Sequence, residues 1–379
     1  MKSKQDVLSK QMSLSVTLFC DFSEDRRISM DVYADSLRDG LREHGVGRYD
    51  VSDYRPHLPP GLSHGNWSMR FARYVSYPFQ ARYRQAGINH IIDHGYGHLL
   101  YALDPARTVV TVHDLIPLVR WREGISGVSR GGKPWLNLIS FYALRRAAHL
   151  FADSDSTRND LILFCNCTAE QITVVHPGLD SIFRPYTSTE KLRAVRTFGL
   201  AGNDAKRIMI IGSGFYKNFS GALAAFARLR ELYDQPIVLV KVGQMDTENN
   251  RLVKELGLGG LVLNLPNVSR AQLPDIYNLV DCLLFPSHYE GFGWPPLEAM
   301  ACGTPVVASN AGSLPEVIGD AGIMCEPNDV EALARSMHDL LTVHALREEF
   351  VQRGLLRAKC FTWQETARKT FDIYERMSR

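Results

Sequence analysis

The run Ser287–Ala308 reads SHYEGFGWPPLEAMACGTPVVA, and the rest of the chain is organised around it. Ahead of it stands Cys282-Leu283-Leu284-Phe285-Pro286, short, apolar and strand-like. A loop punctuated by Gly291 and Gly293 follows. Pro295 and Pro296 suit the first turn of a helix, where a missing N–H is no loss. Leu297–Ala301 continues that helix and Gly303 suits its end. Pro305-Val306-Val307-Ala308 reads as a second apolar strand, so the order is strand, loop, short helix, strand. Such a loop gathers backbone N–H groups and a helix N-terminus at one point, which favours an anion such as phosphate. Glu290 and Glu298 flank that point with seven residues between them. Carboxylates are poor phosphate ligands but good hydroxyl acceptors. One on each side suits a ligand with hydroxyls at both ends of a phosphate, which is the shape of a nucleotide sugar.

The whole run resembles, almost residue for residue, the signature of retaining glycosyltransferases of family four. That resemblance implies an α/β fold of two Rossmann-like domains facing across a cleft, the GT-B architecture. It implies that Glu290 contacts donor-sugar hydroxyls and that Glu298 binds the nucleotide ribose. Gly291, Phe292 and Gly293 belong to the same donor-binding run, and backbone groups near Val268 would meet the base.

At 379 residues, two domains are the first expectation. The composition, 45% hydrophobic and 22% charged, is that of a soluble globular protein. A net charge of +2 implies no bulk affinity for nucleic acid. No apolar run approaches the roughly 20 residues of a membrane span, and the N-terminus lacks the apolar core of a signal peptide. Seven cysteines without metal-site spacing fit reduced, mostly buried thiols in a cytoplasm.

Leu14–Cys20 is a candidate first strand, followed by a loop over Asp21–Met30 and a helix over Asp31–His44. Family members usually carry a Gly-rich turn in that loop; here Ile28-Ser29-Met30 stands instead, and Arg26 and Arg27 are the charges available. Tyr54–Ile92 contains no acidic residue but several arginines, Arg70 and Arg73 among them, interleaved with aromatics. Its helical part, Ser68–Gln85, is expected to break at Pro78. A basic aromatic surface suits anionic lipid head groups or a lipid-diphosphate acceptor, and the resemblance adds that many members work at the cytoplasmic membrane face. His94 and His98 fall in an expected strand-end loop and are acceptor candidates. RTVVTVHD, residues 107–114, reads as a parallel strand ending in His113, where ligands gather in open sheets. The resemblance gives His113 a contact near the reacting carbon of the sugar, with Asp114 orienting the loop or His113. Residues 121–133 read as a Gly- and Arg-rich loop near the acceptor. Ser154-Asp155-Ser156-Thr157 reads as a helix cap. No Asp-x-Asp is assigned to a strand end, and neither a metal nor another cofactor is expected.

The prolines and glycine of His176–Pro185 mark a linker, so the first domain is read as 1–185 and the second as 186–361. The final helix, 362–379, is expected to pack back on the first domain, as in similar folds. Gly212–Asn218 is a strand-to-helix turn with a lone Gly-x-Gly at Gly212 and Gly214. Lys217 opposes the dipole of the helix it precedes unless an anion faces it. Family members usually place an Arg-Lys pair here for the donor diphosphate. Lys217 matches the lysine, but Tyr216 stands where the arginine would be, so the second cation must come from elsewhere.

The expected function is transfer of a hexose, mannose from GDP-mannose as first choice, to a hydroxyl of a glycan or lipid-linked acceptor. The runs TVHDLIPL and VVHPGLDSIFRP look most like bacterial mannosyltransferases of polysaccharide assembly. His113, Lys217 and Glu290 are the catalytic candidates. The rivals are a nucleotide-sugar epimerase of the same architecture and a non-catalytic partner subunit.

Overall fold

The computed structural model describes residues 14–25, 27–45, 48–58, 65–125, 135–198 and 205–378. The chain divides into two compact units. One holds Met1–Trp121, Gly132–Gly178 and Thr362–Arg379; the other holds Arg122–Gly131 and Leu179–Phe361. Each is built on a six-stranded parallel sheet.

The first unit has β1 (Leu14–Phe19), β2 (Tyr49–Tyr54), β3 (Ile88–Ile91), β4 (Thr108–Val112), β5 (His149–Ala152) and β6 (Ile172–Val174), in the order β2-β1-β3-β4-β5-β6. The second has β7 (Lys206–Ile211), β8 (Ile237–Val242), β9 (Val262–Leu265), β10 (Cys282–Phe285), β11 (Val306–Ser309) and β12 (Ile323–Cys325), in the order β12-β11-β10-β7-β8-β9. Parallel strands covered on both faces read as continuous apolar runs. β4 and β10 do so, with every residue buried. In both sheets the order reverses direction at an internal strand, β1 in one and β7 in the other. Loops at the carboxyl ends of such strands are where ligands collect.

The last helix, Trp363–Met377, joins the first unit because one stripe of it is apolar. Ala367, Phe371 and Tyr374 are buried on that stripe. Gly40 of the helix Ile28–His44 lets the two approach: a Cβ there would lie 3.2 Å from Ala367 Cβ. Thr362 caps the last helix by accepting from Glu365 N–H, and Tyr374 OH sits 2.6 Å from His90 Nδ1.

Three local expectations give way. Ile28–Met30 is not loop but the first turn of the helix Ile28–His44, which shortens the loop after β1. Pro78 does not break the basic aromatic stretch: Asn66–Phe71, a wider π-type turn Ala72–Ser76 and Tyr77–Arg82 follow one another. Pro78 falls in the first turn of the third piece, where its missing N–H is tolerated. The second unit begins at Leu179, ahead of residue 186. Leu179 N–H donates to Phe361 O at 3.1 Å and Phe183 lies in that unit's core. Six of the seven cysteines are buried free thiols, and Cys360 is exposed. No helix among the described residues is long and apolar enough to cross a membrane.

Candidate active site

In the second unit the motif folds as its spacing predicts: β10, loop, the helix Trp294–Ala301, β11. Gly293 at the helix entry has φ +112°, a left-handed conformation that favours glycine. Gly312 is required by close approach, since a Cβ there would come within 2.6 Å of Glu290 O. Ser313 completes the clamp, its N–H and Oγ both donating to Glu290 O. Glu290 is thereby held 6% exposed at the end of β10.

Lys217 meets it there. Lys217 closes the turn Phe215–Lys217 after β7, and its Nζ donates to Glu290 Oε1 at 2.8 Å. Its stem lies over Gly212, where a Cβ would sit 3.1 Å from Lys217 Cε. The ammonium also stands 4.7 Å from the Phe285 ring centre. Tyr216 folds over Gly214, and Tyr216 O accepts from His288 N–H at 2.8 Å, tying this turn to the motif loop.

Glu298 is inside the helix and 3% exposed. Both of its oxygens are engaged, Oε1 by Arg270 Nη1 at 3.0 Å and Oε2 by Tyr277 OH at 2.9 Å. Burial pushes its pKa up even though the Arg270 charge pulls the other way. The Arg270 guanidinium also stands 5.0 Å from the Phe183 ring centre and 5.6 Å from that of Trp294. Phe292 turns its ring into the core, 5.7 Å from Phe361, and Val268 packs on the same core. Gly291 and Phe292 therefore offer backbone rather than an exposed side chain to any ligand near Glu290.

In the first unit four adjacent strands end in polar residues: Asp21 beyond β1, Asp93 beyond β3, His113 beyond β4 and Asp153 beyond β5. His113 Nδ1 donates to Asp153 Oδ2 at 2.7 Å and Nε2 donates to Ile92 O at 2.9 Å. Burial disfavours the imidazolium, but the charge and hydrogen bond of Asp153, with Asp93 behind, outweigh it and push the pKa up to about 9. The orienting acid is thus Asp153 and not Asp114, which instead accepts from Ile116 N–H. Asp153-Ser154-Asp155 is also an Asp-x-Asp run at a strand end, contrary to the sequence reading. Asp153 is committed to His113, and Ser154 caps the next helix by accepting from Thr157 N–H. No cluster of three or more His, Cys, Asp or Glu able to hold a metal occurs among the described residues.

His94 and His98 are not on a surface loop. Both lie in the tight helical segment His94–Tyr101 and are buried. His94 Nδ1 accepts from His113 N–H at 3.4 Å, and burial lowers its pKa. His98 uses both ring nitrogens, on Ser140 Oγ and Arg73 O, and burial pushes it down to about 4. That is the environment of a packed neutral imidazole. Arg27 bonds Asp93 and lies 3.9 Å from Asp21, so it balances buried carboxylates. Burial raises the Asp21 pKa strongly, and the Asp93 charge adds to the rise. Arg73 is occupied by Gly95 O at 3.0 Å and by the Tyr96 ring. Arg26 lies outside the described residues, as do 126–133 of the expected acceptor loop.

Arg70 belongs to an open surface. It flanks Trp67 at 5.8 Å. Trp67, Phe71, Tyr74, Leu136 and Ile139 line a cavity of about 620 Å3 beside it. Trp67 is 82% and Trp135 69% exposed, an apolar face with a cationic rim.

Asp21, Asp93, Asp153, Arg270 and Tyr277 were missed by sequence reasoning. Each is a single polar residue at a strand end or at one end of a short helix, and only the topology brings it to its partner.

Comparison with known proteins agrees with these two halves. The Glycosyltransferase Family 4 profile matches residues 15–182 and the "Glycosyl transferases group 1" profile matches 196–357. O-antigen chain mannosyltransferase B of Escherichia coli is 33% identical over 237 residues, 62% of each chain. The serotype-specific mannosyltransferase WbdA of Escherichia coli is 30% identical over 282 residues, 72% of this chain and 34% of that one. The matched regions thus span between a third and under two thirds of these relatives. Sucrose-phosphate synthase from Thermosynechococcus elongatus superposes with a TM-score of 0.76 at 20% identity, covering 96% of this chain and 99% of that one.

Proposed function

Since the chain belongs to the family-four glycosyltransferases, with a group 1 domain as its second half, we propose that it moves a hexose from a nucleotide sugar to a hydroxyl of a glycan or lipid-linked acceptor. The setting we propose is bacterial surface polysaccharide assembly, with the anomeric configuration kept. GDP-mannose is the favoured donor, because the similar proteins include O-antigen and serotype mannosyltransferases.

The Lys217–Glu290 pair carries this reading. A cation suited to a leaving diphosphate and a carboxylate suited to sugar hydroxyls stand 2.8 Å apart beside a helix entry. The barrier is departure of the diphosphate with positive charge growing at the sugar carbon. Lys217 and the positive end of the helix Trp294–Ala301 stabilise the leaving charge, and fixed electrostatics of this kind often dominate catalysis. Glu290, released from Lys217 as the diphosphate arrives, accepts from sugar hydroxyls. Glu298, already braced by Arg270 and Tyr277, accepts from the ribose with its remaining lone pairs. The acceptor attacks on the face the diphosphate leaves, and the leaving phosphate takes the hydroxyl proton, so no protein base is needed. His113, held cationic by Asp153, is the catalytic candidate of the first unit, and the exposed Trp67 face is the surface we assign to an anionic membrane.

The test is thermal unfolding against GDP, UDP, GDP-mannose, UDP-glucose and UDP-N-acetylglucosamine. A ligand at a hundred times its dissociation constant adds about 2.7 kcal/mol. A shift with GDP and GDP-mannose is expected. A shift confined to uridine ligands would replace the donor, and none at all would overturn the donor reading.

A further inference from the structure

Lys241 is the fifth residue of β8, in register with Ile210 of β7 and Asn264 of β9. It is 1% exposed. An ammonium so placed is costly unless it is paired or faces a negative charge. Among the described residues Lys241 has no carboxylate partner. Its Nζ donates to Gly212 O and to Val242 O, each at 2.7 Å, and lies 5.5 Å from the Phe219 ring.

These contacts fix where the charge sits. Gly212 is the first residue of the turn that carries Gly214 and Lys217, and Lys217 lays its stem over the same glycine. The two lysines therefore converge on Gly212, one holding its carbonyl and the other covering its Cα. Phe219 opens the helix Phe219–Leu232, whose positive end points at the same place. A lysine, a second lysine and a helix N-terminus share one corner, and the only carboxylate that the described contacts bring there is Glu290, paired with Lys217. Burial, the sole resolved influence on it, brings the Lys241 pKa down to about 8. The corner thus has a positive charge left over that no carboxylate among the described residues neutralises.

Resting on the donor reading above, we infer that Lys241 is the second cation of the donor-diphosphate site, acting from beneath the Gly212 turn. It takes the place of the arginine absent beside Lys217. It acts in two ways: its hydrogen bond aims the Gly212–Lys217 turn, and its charge attracts the diphosphate through the turn. Because the ammonium is shielded, its effect is on the phosphates and not on the nucleoside.

Two neutral variants separate charge from scaffolding. Lys241→Gln keeps a donor for the carbonyls without the charge, and Lys241→Met removes both. Binding of GDP and UDP is measured beside binding of guanosine and uridine, which lack phosphates. The expected result is a tenfold or greater loss of diphosphate affinity in Lys241→Gln with nucleoside affinity kept. Folding of Lys241→Gln is checked by unfolding temperature, which loss of an unneutralised buried charge with the donor kept should leave equal or higher; Lys241→Met, which also strands the carbonyls, should unfold lower. The wild-type chain gives a second readout that needs no variant. Diphosphate affinity should fall between pH 7.5 and 9, as Lys241 releases its proton in the free chain. Set against Lys241 are the two carbonyls, the Phe219 ring and Asn264 of β9, with the Lys217–Glu290 pair reached through Gly212. Wild-type binding of a diphosphate that Lys241→Gln retains in full would overturn the inference and leave the donor reading standing. Failure of the wild type to bind any nucleoside diphosphate would overturn both.

Discussion

Lys217 Nζ lies 2.8 Å from Glu290 Oε1, and the two side chains are 15% and 8% exposed. Each of these groups has a separate task in the proposed reaction, yet they neutralise one another while the site is free. A buried cation and a buried carboxylate can wait for a ligand in this way without either bearing an uncompensated charge. Binding a diphosphate then exchanges one anion for another at Lys217 and frees Glu290 for hydroxyls.

Lys217→Ala should slow turnover by a margin similar to loss of an oxyanion donor, about 2.7–4 kcal/mol of transition-state stabilisation. The same variant leaves Glu290 without its partner, so a moderate fall in unfolding temperature should accompany it. Single-turnover rates beside a melting curve decide this, and an unchanged rate would remove Lys217 from the mechanism.

Arg270→Ala strips Glu298 of its cation. Leaving a buried acceptor unsatisfied costs about 1–3 kcal/mol, more when it is charged. Arg270→Ala should therefore destabilise the second unit more than Glu298→Gln, in which the acceptor is neutral. Urea unfolding of the two variants gives the comparison; equal effects would mean that the unpaired Glu298 carries no extra cost.

His113 is raised from 6.5 to about 9 in the folded chain. A raised pKa gives stability that is full below about pH 6.5 and is lost as pH climbs through about 9. At about 1.4 kcal/mol per unit the loss is about 3 kcal/mol. Asp21, raised by burial, acts in the same direction. Asp153→Asn should flatten the stability profile between pH 6.5 and 9.5, as measured by denaturant unfolding. A slope that survives the substitution would locate the titration elsewhere.

Turnover should persist in EDTA, because the leaving charge is assigned to Lys217 and a helix end. Activity lost in EDTA and restored by manganese would assign that work to a metal.

The Trp67 face should bring the protein down with anionic liposomes at low salt. Trp67→Ser with Arg70→Glu should abolish sedimentation while nucleotide-induced stabilisation stays intact. If the unchanged protein stays in the supernatant, the surface has another use.

Most of the second unit was readable because its signals are local. The strand–loop–helix–strand order of 282–309 follows from adjacent apolar, glycine and proline residues, and Glu290, Glu298 and Lys217 stand on it. Their partners were not readable. Glu290 meets Lys217 across 73 residues and Glu298 meets Arg270 across 28, because parallel strands bring distant turns to one end of a sheet. The same geometry gave His113 to Asp153 rather than to the adjacent Asp114. Burial was the other hidden variable. His98 looks like a loop residue by its glycine neighbours, yet Ser140 and the Arg73 carbonyl enclose it. Pro78 looked like a break, but its place in a first turn and the wider turn ahead of it absorb the missing N–H.

Cys360 is the one exposed thiol, and burial pushes Cys20, Cys167 and Cys282 up to about 12. Thiols held that far from their thiolate form react slowly with alkylating reagents. A maleimide dye should therefore attach to the native chain at a single place without mutagenesis. That place immediately precedes Phe361, the last residue of the second unit before the chain re-enters the first. A fluorophore there turns an unmodified protein into its own reporter of what happens at that junction when a nucleotide is added.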